Sequence, residues 1–342
     1  MATVLITRFS ALGDVTIALP LVRALASTYP DDRFLFLSQP FVADLFAESP
    51  SNLVFIPVNI KKEYKGVKGM VDVFRMLKAE HVDIVCDLHG VHRTHVLDIL
   101  FSFNKPVYRV KKERKARRRL VRRWRKRHVP LKPALERYRE VFHKAGFDVS
   151  DAALSQTLPP IGFHLESMER LYGKKEGYWL GIAPFARHEG KRYPLADMDR
   201  VLDHFTSRSF FTVFLFGGGQ EETAIMNAWK QKFSSIVMPV KTGLAQEIQL
   251  MNCLDGLLTM DSANMHLGAL ANTNVFSIWG ATHPLAGFAP WNQPVTNRLQ
   301  VELPCRPCSI YGKKPCYRKD HACMTHLSPD RVISFIAENL HS

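Results

Sequence analysis

In this 342-residue chain, polar side chains and glycines collect at a few turns, each after a short apolar run. The first is Ser10-Ala11-Leu12-Gly13-Asp14, which follows Val4 to Phe9. An acid opening a helix is favoured by the helix dipole and by unpaired backbone N–H groups. An ionised carboxylate within reach of a hydroxyl is also a general base, and spacing alone fits Asp14 to either role. No GxGxxG lies in this turn, so a dinucleotide cofactor is not expected. Later, Pro184-Phe185-Ala186-Arg187-His188-Glu189-Gly190-Lys191 puts Arg187 and Lys191 in one loop, a pairing suited to a diphosphate. Gly217-Gly218-Gly219 lets a ligand approach the backbone closely, and Glu221 and Glu222 just beyond can accept bonds from ribose hydroxyls. Asp261-Ser262-Ala263-Asn264-Met265-His266 is the densest polar group, a strand-to-helix turn whose N–H groups suit an anion. Gly280-Ala281-Thr282-His283-Pro284 follows the next apolar run.

These turns need elements to hold them. Val4 to Phe9, Phe34 to Leu37, Leu53 to Val58 and Val82 to Asp87 read as buried strands, and Val15 to Thr28 has helical spacing. Trp179 to Pro184, Phe211 to Phe216, Ser235 to Pro239, Gly256 to Met260 and Val275 to Trp279 repeat the strand pattern. Helical patterns at Leu195 to Ser207, Glu221 to Phe233, Ala245 to Cys253 and Met265 to Ala271 separate them. Near-continuous apolar strands alternating with helices predict an α/β protein with parallel sheets covered on both faces. The expected organisation is two doubly wound Rossmann-like domains facing across a cleft, spanning 1–150 and 178–328. A linker at 151–177 and a C-terminal amphipathic helix at 329–342 complete it. Ligands of such sheets lie beyond the carboxyl ends of the strands.

Charge is concentrated in one place. Between Arg109 and Arg127 stand thirteen Lys or Arg against the single acid Glu113, so this segment holds nearly all of the net charge of +14. Ala116, Leu120 and Trp124 recur every four residues within it, which predicts a basic helix with a narrow apolar stripe. Such a helix suits an anionic membrane surface; a solvated charged segment and RNA binding are the other readings. Nucleic acid is not expected as a partner, because a general nucleic-acid surface would spread its charge over the fold. Lys61, Lys62, Lys65 and Arg93, in post-strand loops, are further candidates for anionic contacts. Cys305-x2-Cys308-x7-Cys316-x6-Cys323 has one pair at ligand spacing and offers a structural zinc site or free thiols. His89, His92 and His95 with Asp87 also invite a metal, but they straddle a strand end and a helix start. No apolar run approaches the roughly 20 residues that span a bilayer. Arg8 and Asp14 interrupt the apolar N-terminus, which therefore reads as folded structure and not as a signal peptide. A reducing, cytoplasmic compartment is expected.

Taken in order, the turns resemble glycosyltransferase family 9, the ADP-heptose:lipopolysaccharide heptosyltransferases. Ser10-Ala11-Leu12-Gly13-Asp14-Val15 with Leu19-Pro20 looks like the opening motif of that family. Thr242-Gly243-Leu244, Asp261-Ser262-Ala263-Asn264-Met265-His266 with Gly268-Ala269-Leu270-Ala271, and Gly280-x-Thr282-x-Pro284 are similar to later ones. Ala263 replaces the usual Gly, and the basic segment is denser than the family pattern. The resemblance implies a GT-B fold and an inverting, metal-independent transfer of heptose from a nucleotide-diphosphate donor, ADP-heptose, to an anionic Kdo–lipid A acceptor. It implies Asp14 as the base; Ser10 stands in the same motif on the acceptor side, and Lys61, Lys62 and Arg93 are acceptor-side candidates by their placement in post-strand loops alone. The donor side is Arg187, Lys191, Gly218, Glu221, Glu222, Thr242, Gly243, Asp261, Ser262, Ala263, Met265 and His266. It also implies a peripheral position on the inner face of the cytoplasmic membrane, reached through segment 109–127. A nucleotide-sugar 2-epimerase of the same fold, or a non-enzymatic membrane- or nucleic-acid-binding protein using that segment, are the alternatives.

Overall fold

The computed structural model describes residues 1–240 and 243–340. They divide into two units, Met1–Glu113 with Lys132–Leu158, and Arg114–Leu131 with Pro159–Ser342. The change of unit at Leu158 falls inside the segment read as a linker.

The first unit is a parallel sheet of order β3-β2-β1-β4-β5. Its strands are β1 Thr3–Thr7, β2 Arg33–Ser38, β3 Leu53–Pro57, β4 Ile84–Asp87 and β5 Val107–Arg109. Val4, Leu5 and Ile6 are wholly buried, as a strand covered on both faces requires. Helix Leu12–Thr28 turns Val15, Leu19, Val22 and Leu25 inward. Leu5, Leu35, Val73, Val85 and Leu97 belong to one core cluster of this unit. The helix starts three residues before the predicted Val15, so Asp14 is its third residue and not its opening. β5 escaped sequence reading because it is three residues long and only partly buried, too short for a period to show.

The second unit is a parallel sheet of order β11-β10-β9-β6-β7-β8. Its strands are β6 Tyr178–Ala183, β7 Phe211–Leu215, β8 Ile236–Val237, β9 Gly256–Met260, β10 Val275–Trp279 and β11 Arg298–Gln300. Five of these match predicted strands to within a few residues; β11, again three residues long, was not predicted. The C-terminal helix runs over Pro329–Asn339, capped by the Ser328 hydroxyl, and buries Val332 and Ile336 in the main core of this unit.

The basic segment departs from expectation. Only Arg114–Leu120 is helical. Leu120 is buried in a cluster with Leu131 and Ala286, and Ala116 packs on that cluster, so the stripe faces protein. Trp124 lies beyond the helix and is 76% exposed. Dense like charge opposes continuation of the helix. Arg125 is left-handed, and Lys126 and His128 bond to backbone carbonyls of the loop after β11. These tertiary bonds group the segment with the second unit, although its sequence position falls within 1–150.

Gly69, inside helix Gly66–Leu77, has no room for a side chain, since an added Cβ would stand 2.1 Å from the Tyr64 carbonyl carbon. Backbone cannot swing aside as a flexible side chain can. Gly69→Ala is expected to lower stability by about 1–3 kcal/mol, the usual cost of overpacking, read as a lower urea midpoint at unchanged slope.

Candidate functional sites at two sheet edges

In each sheet one pair of adjacent strands sends its connections in opposite directions, and a crevice opens there at the carboxyl edge. In the first unit that pair is β1 and β4. Arg8, just beyond β1, is only 8% exposed. Its guanidinium forms an ion pair with Asp14, donates from Nη1 to the Leu88 carbonyl at 2.7 Å and lies 5.8 Å from the Tyr138 ring centroid. Burial, the largest influence, works against the Arg8 charge, but Asp14, Tyr138 and Asp87 together outweigh it and the guanidinium pKa is raised. Tyr138 O–H donates to Asp14 Oδ1 at 3.5 Å, and Ala11 N–H to Oδ2 at 3.3 Å. Asp14 is therefore both a helix-start acid and part of a polar cluster, with its side chain 23% exposed.

From the β4 side, Asp87 is fully buried and takes bonds from Thr7 Oγ1 (3.1 Å), His89 N (2.8 Å), Gly90 N (2.9 Å) and Thr94 Oγ1 (2.8 Å). It fixes the turn that presents His89, whose Nε2 is 3.4 Å from Ser10 Oγ. Burial, then the nearby Arg8 charge, pushes the His89 pKa down to about 3, so the ring is neutral at pH 7. Ser10, Asp14 and His89 thus share one edge. Lys61 and Lys62 leave the sheet after β3, two strands from β1, with their N–H groups on Asn59 Oδ1 and their side chains exposed. Lys65 is exposed just before helix Gly66–Leu77, and Arg93 is exposed on the first turn of helix His92–Ser102. Arg8 and Tyr138 were not among the predicted residues. A charge inside an apolar run was the available signal for Arg8; Tyr138, in helix Ala134–Lys144, had none.

The second unit changes direction between β6 and β9. Lys191, in the turn Glu189–Lys191 after β6, reaches across to the turn after β9. Its ammonium bonds Asp261 Oδ2 at 2.8 Å and the Asp261 carbonyl at 2.9 Å, with both side chains largely buried. An ammonium has three donors, so one remains for a ligand. Gly312, with φ +79°, lies against the Lys191 stem; an added Cβ there would fall 2.9 Å from Lys191 Cγ. Ser262 is the N-cap of helix Ala263–Leu270 but gives it no side-chain bond; its hydroxyl lies 3.3 Å from Thr259 Oγ1. Met265 and His266 are buried in that helix, and Ala263 is its first residue. After β7, Gly218 N–H donates to Glu222 Oε2 at 2.9 Å, and Glu221 is exposed. Gly243 caps helix Leu244–Asn252 at φ +132°, while Thr242 lies outside the described residues. Arg187 is exposed.

Among the described residues, Asp87, His95 and Asp98 bring three potential ligand atoms within 4.8 Å of one another; His92 and His89 do not join them. Asp98 is fully buried, pairs with Arg109 at 2.5 Å and has an Oδ1 without a hydrogen-bond partner. Burial, then the adjacent Asp87 carboxylate, raises its pKa to about 7. The six cysteines are free thiols.

A family model described as glycosyltransferase family 9 (heptosyltransferase) matches residues 70–316. The chain belongs to that family and is a glycosyltransferase. It is 24% identical over 354 aligned positions to lipopolysaccharide heptosyltransferase 1 of Pseudomonas aeruginosa, covering 96% of this chain and 95% of that one. It is 28% identical over 160 residues to lipooligosaccharide heptosyltransferase 2 of Campylobacter jejuni, a match spanning about half of each chain, 45% and 48%. Its fold is that of the Escherichia coli heptosyltransferase WaaC with ADP, with a TM-score of 0.69 at 18% identity and coverage of 98% and 99%. The fold class is accordingly α/β of the GT-B type.

A carboxyl group that keeps its proton in the folded chain to about pH 7 costs stability as the pH rises, because the unfolded chain releases that proton near its ordinary pKa of 3.8. The contribution of Asp98 is full below pH 4 and is lost towards pH 7. Asp98→Asn carries no such proton, so its unfolding free energy relative to wild type should climb between pH 5 and 8. Urea titrations across that range check this; a flat difference would rule it out.

Proposed function

We propose that the chain transfers heptose from ADP-heptose to an anionic, lipid-linked inner-core saccharide of lipopolysaccharide, with inversion at the anomeric carbon. The observation that carries this reading is the buried Lys191–Asp261 bridge at the β6/β9 crevice of a family 9 chain. It places a fixed cation beside the start of helix Ala263–Leu270, where backbone N–H groups and the helix dipole favour a diphosphate. The names of the relatives, which are lipopolysaccharide and lipooligosaccharide heptosyltransferases, support the sugar and the acceptor class.

In this reading Asp14 accepts the proton of the acceptor hydroxyl as that oxygen attacks the anomeric carbon from the face opposite the nucleotide. Arg8 pairs with Asp14 and aims it, and neutral His89 orients Ser10 beside it. The bond to the diphosphate breaks as the new glycosidic bond forms. The charge that grows on the leaving oxygen is met by the third N–H of Lys191 and by the helix start. These groups do the work that a divalent cation does in other transferases, so no catalytic metal is assigned. Glu222 and Gly218 stand at the β7 turn for the nucleotide. Arg187, Lys61, Lys62 and Arg93 supply cations to anionic substrates. The exposed arginines of segment 109–127, with Trp124 protruding, suit an anionic membrane surface on the cytoplasmic side.

Two variants separate the two sites. Asp14→Asn should lose about 10²–10⁴-fold in turnover, the usual worth of a general base, with donor affinity unchanged by calorimetry. Lys191→Ala should weaken ADP-heptose and ADP binding at least tenfold. Failure of the wild type to bind ADP-heptose, or an Asp14→Asn enzyme at wild-type rate, would overturn the assignment.

A further inference from the structure

Among the described residues, ten Lys or Arg stand between Arg114 and Arg127, and eight of them are exposed. The other two, Arg117 and Lys126, both bind one irregular stretch, Cys305 to Gly312, in the loop after β11. Arg117 Nη1 donates to the Tyr311 hydroxyl at 2.6 Å. Its guanidinium lies 5.6 Å from the Phe288 ring centroid and 5.8 Å from that of Tyr311, and the two rings are 5.6 Å apart. A planar guanidinium against aromatic rings, bonded to the hydroxyl of one, is held in both position and direction. Lys126 Nζ donates to the Cys305 and Pro307 carbonyls at 2.5 and 2.9 Å. Leu120, between them in sequence, is buried with Leu131 and Ala286, and Ile310 packs on that cluster.

The same stretch lies against Lys191. Gly312 is buried, and an added Cβ there would stand 2.9 Å from Lys191 Cγ and 3.1 Å from both Cδ and Cε. The glycine is therefore packed along the stem whose ammonium is bound to Asp261. Arg306 holds the start of the stretch by donating to the Trp279, Gly280 and Thr282 carbonyls. Cys308 and Ser309 N–H both donate to the Ala281 carbonyl, at 2.8 and 3.2 Å. Beyond Ser309 this anchorage stops. Among the described residues, Ile310, Tyr311 and Gly312 make no backbone bond to the end of β10 or to the Lys191 turn. What holds them is Ile310 on its apolar cluster and the Tyr311 hydroxyl on Arg117.

The geometry points to Arg117 and Tyr311 as positioning residues for the donor: their bond holds Gly312 against the Lys191 stem and so keeps that ammonium in place for a nucleoside diphosphate. The inference rests on the reading of Lys191 as the diphosphate cation. A lysine stem is flexible, and ordering it before the ligand arrives removes that cost from binding. Asp261 fixes the head of Lys191, and Gly312 confines its stem. Without the Arg117 bond the 310–312 chain can draw back, the stem gains room, and the remaining ammonium N–H loses its direction. The basic segment is then divided in its work. Arg117 and Lys126 fasten it to the loop beside the donor lysine, and its exposed arginines stay in solvent.

The test is calorimetric titration of the full chain with ADP. Tyr311→Phe keeps the ring and every charge and removes only the bonded hydroxyl; because Tyr311 is 45% exposed, this variant should fold, which its thermal midpoint checks. It should weaken ADP by about three- to tenfold, the equivalent of one net hydrogen bond. Arg117→Ala should weaken ADP at least as much, and Arg117→Lys, which keeps a donor and a cation, should recover part of the loss. Lys314→Ala removes a cation from the same loop without touching the bond and should leave ADP affinity unchanged. In a Lys191→Met background, which keeps the stem but not the ammonium, Tyr311→Phe should have no further effect, because it acts through Lys191. ADP binding that is absent from the wild type, or unaltered by Lys191→Met, would overturn the donor-site reading and this inference with it. Binding that depends on Lys191 but is unchanged by Tyr311→Phe and Arg117→Ala would overturn this inference alone. So would a Tyr311→Phe effect of equal size with and without the Lys191 ammonium.

Discussion

A parallel sheet buried on both faces leaves polar chemistry little room except at the carboxyl ends of its strands. There, backbone N–H groups of the following helices point outward, and successive turns can lean towards one another where the strand order reverses. Both units obey this constraint. In the first, the turns after β1 and β4 are joined by Arg8 on the Leu88 carbonyl and by Ser10 beside His89. In the second, Lys191 after β6 is tied to Asp261 after β9. The apolar strands matter to function because they hold these turns at fixed spacing.

Buried charge is handled in two ways. Arg8–Asp14 and Lys191–Asp261 are pairs whose members stand within ion-pair distance, a geometry that repays desolvation only when further bonds are made. Arg8 makes one to Leu88, and Lys191 a second to the Asp261 backbone. Asp98 is the contrasting case, since one oxygen meets Arg109 while its other close ionisable neighbour is the Asp87 carboxylate. Burial and that neighbouring carboxylate raise its pKa. The first unit therefore pairs one acid with Arg8 at its sheet edge and keeps another, Asp98, fully buried with a raised pKa.

The basic segment shows how tertiary context redirects a strong local pattern. Its period of four at Ala116, Leu120 and Trp124 suggested one helix with one apolar stripe. Leu120 and Ala116 pack on protein instead, the helix ends at Leu120, and Lys126 and His128 bond to loop carbonyls. What remains outward is charge and Trp124, so the surface is cationic with a single aromatic projection.

Much of this protein follows from sequence alone. Wholly apolar runs such as Leu5-Ile6 and Leu257-Leu258 identify parallel strands because both faces must be covered, and turn residues after them mark the working edge. The pattern puts Lys191 and the Asp261–His266 turn at strand ends and Asp14 at the start of the helix that follows β1. Short edge strands β5 and β11 carried too few residues for a period. Which charges meet was settled only in three dimensions, because ion pairing between turns from different strands depends on strand order and leaves no local trace. Arg8 with Asp14, Lys191 with Asp261 and Asp98 with Arg109 are of that kind. So is the attachment of residues 114–131 to the second unit, since local sequence records which face of a helix is apolar but not which core receives it.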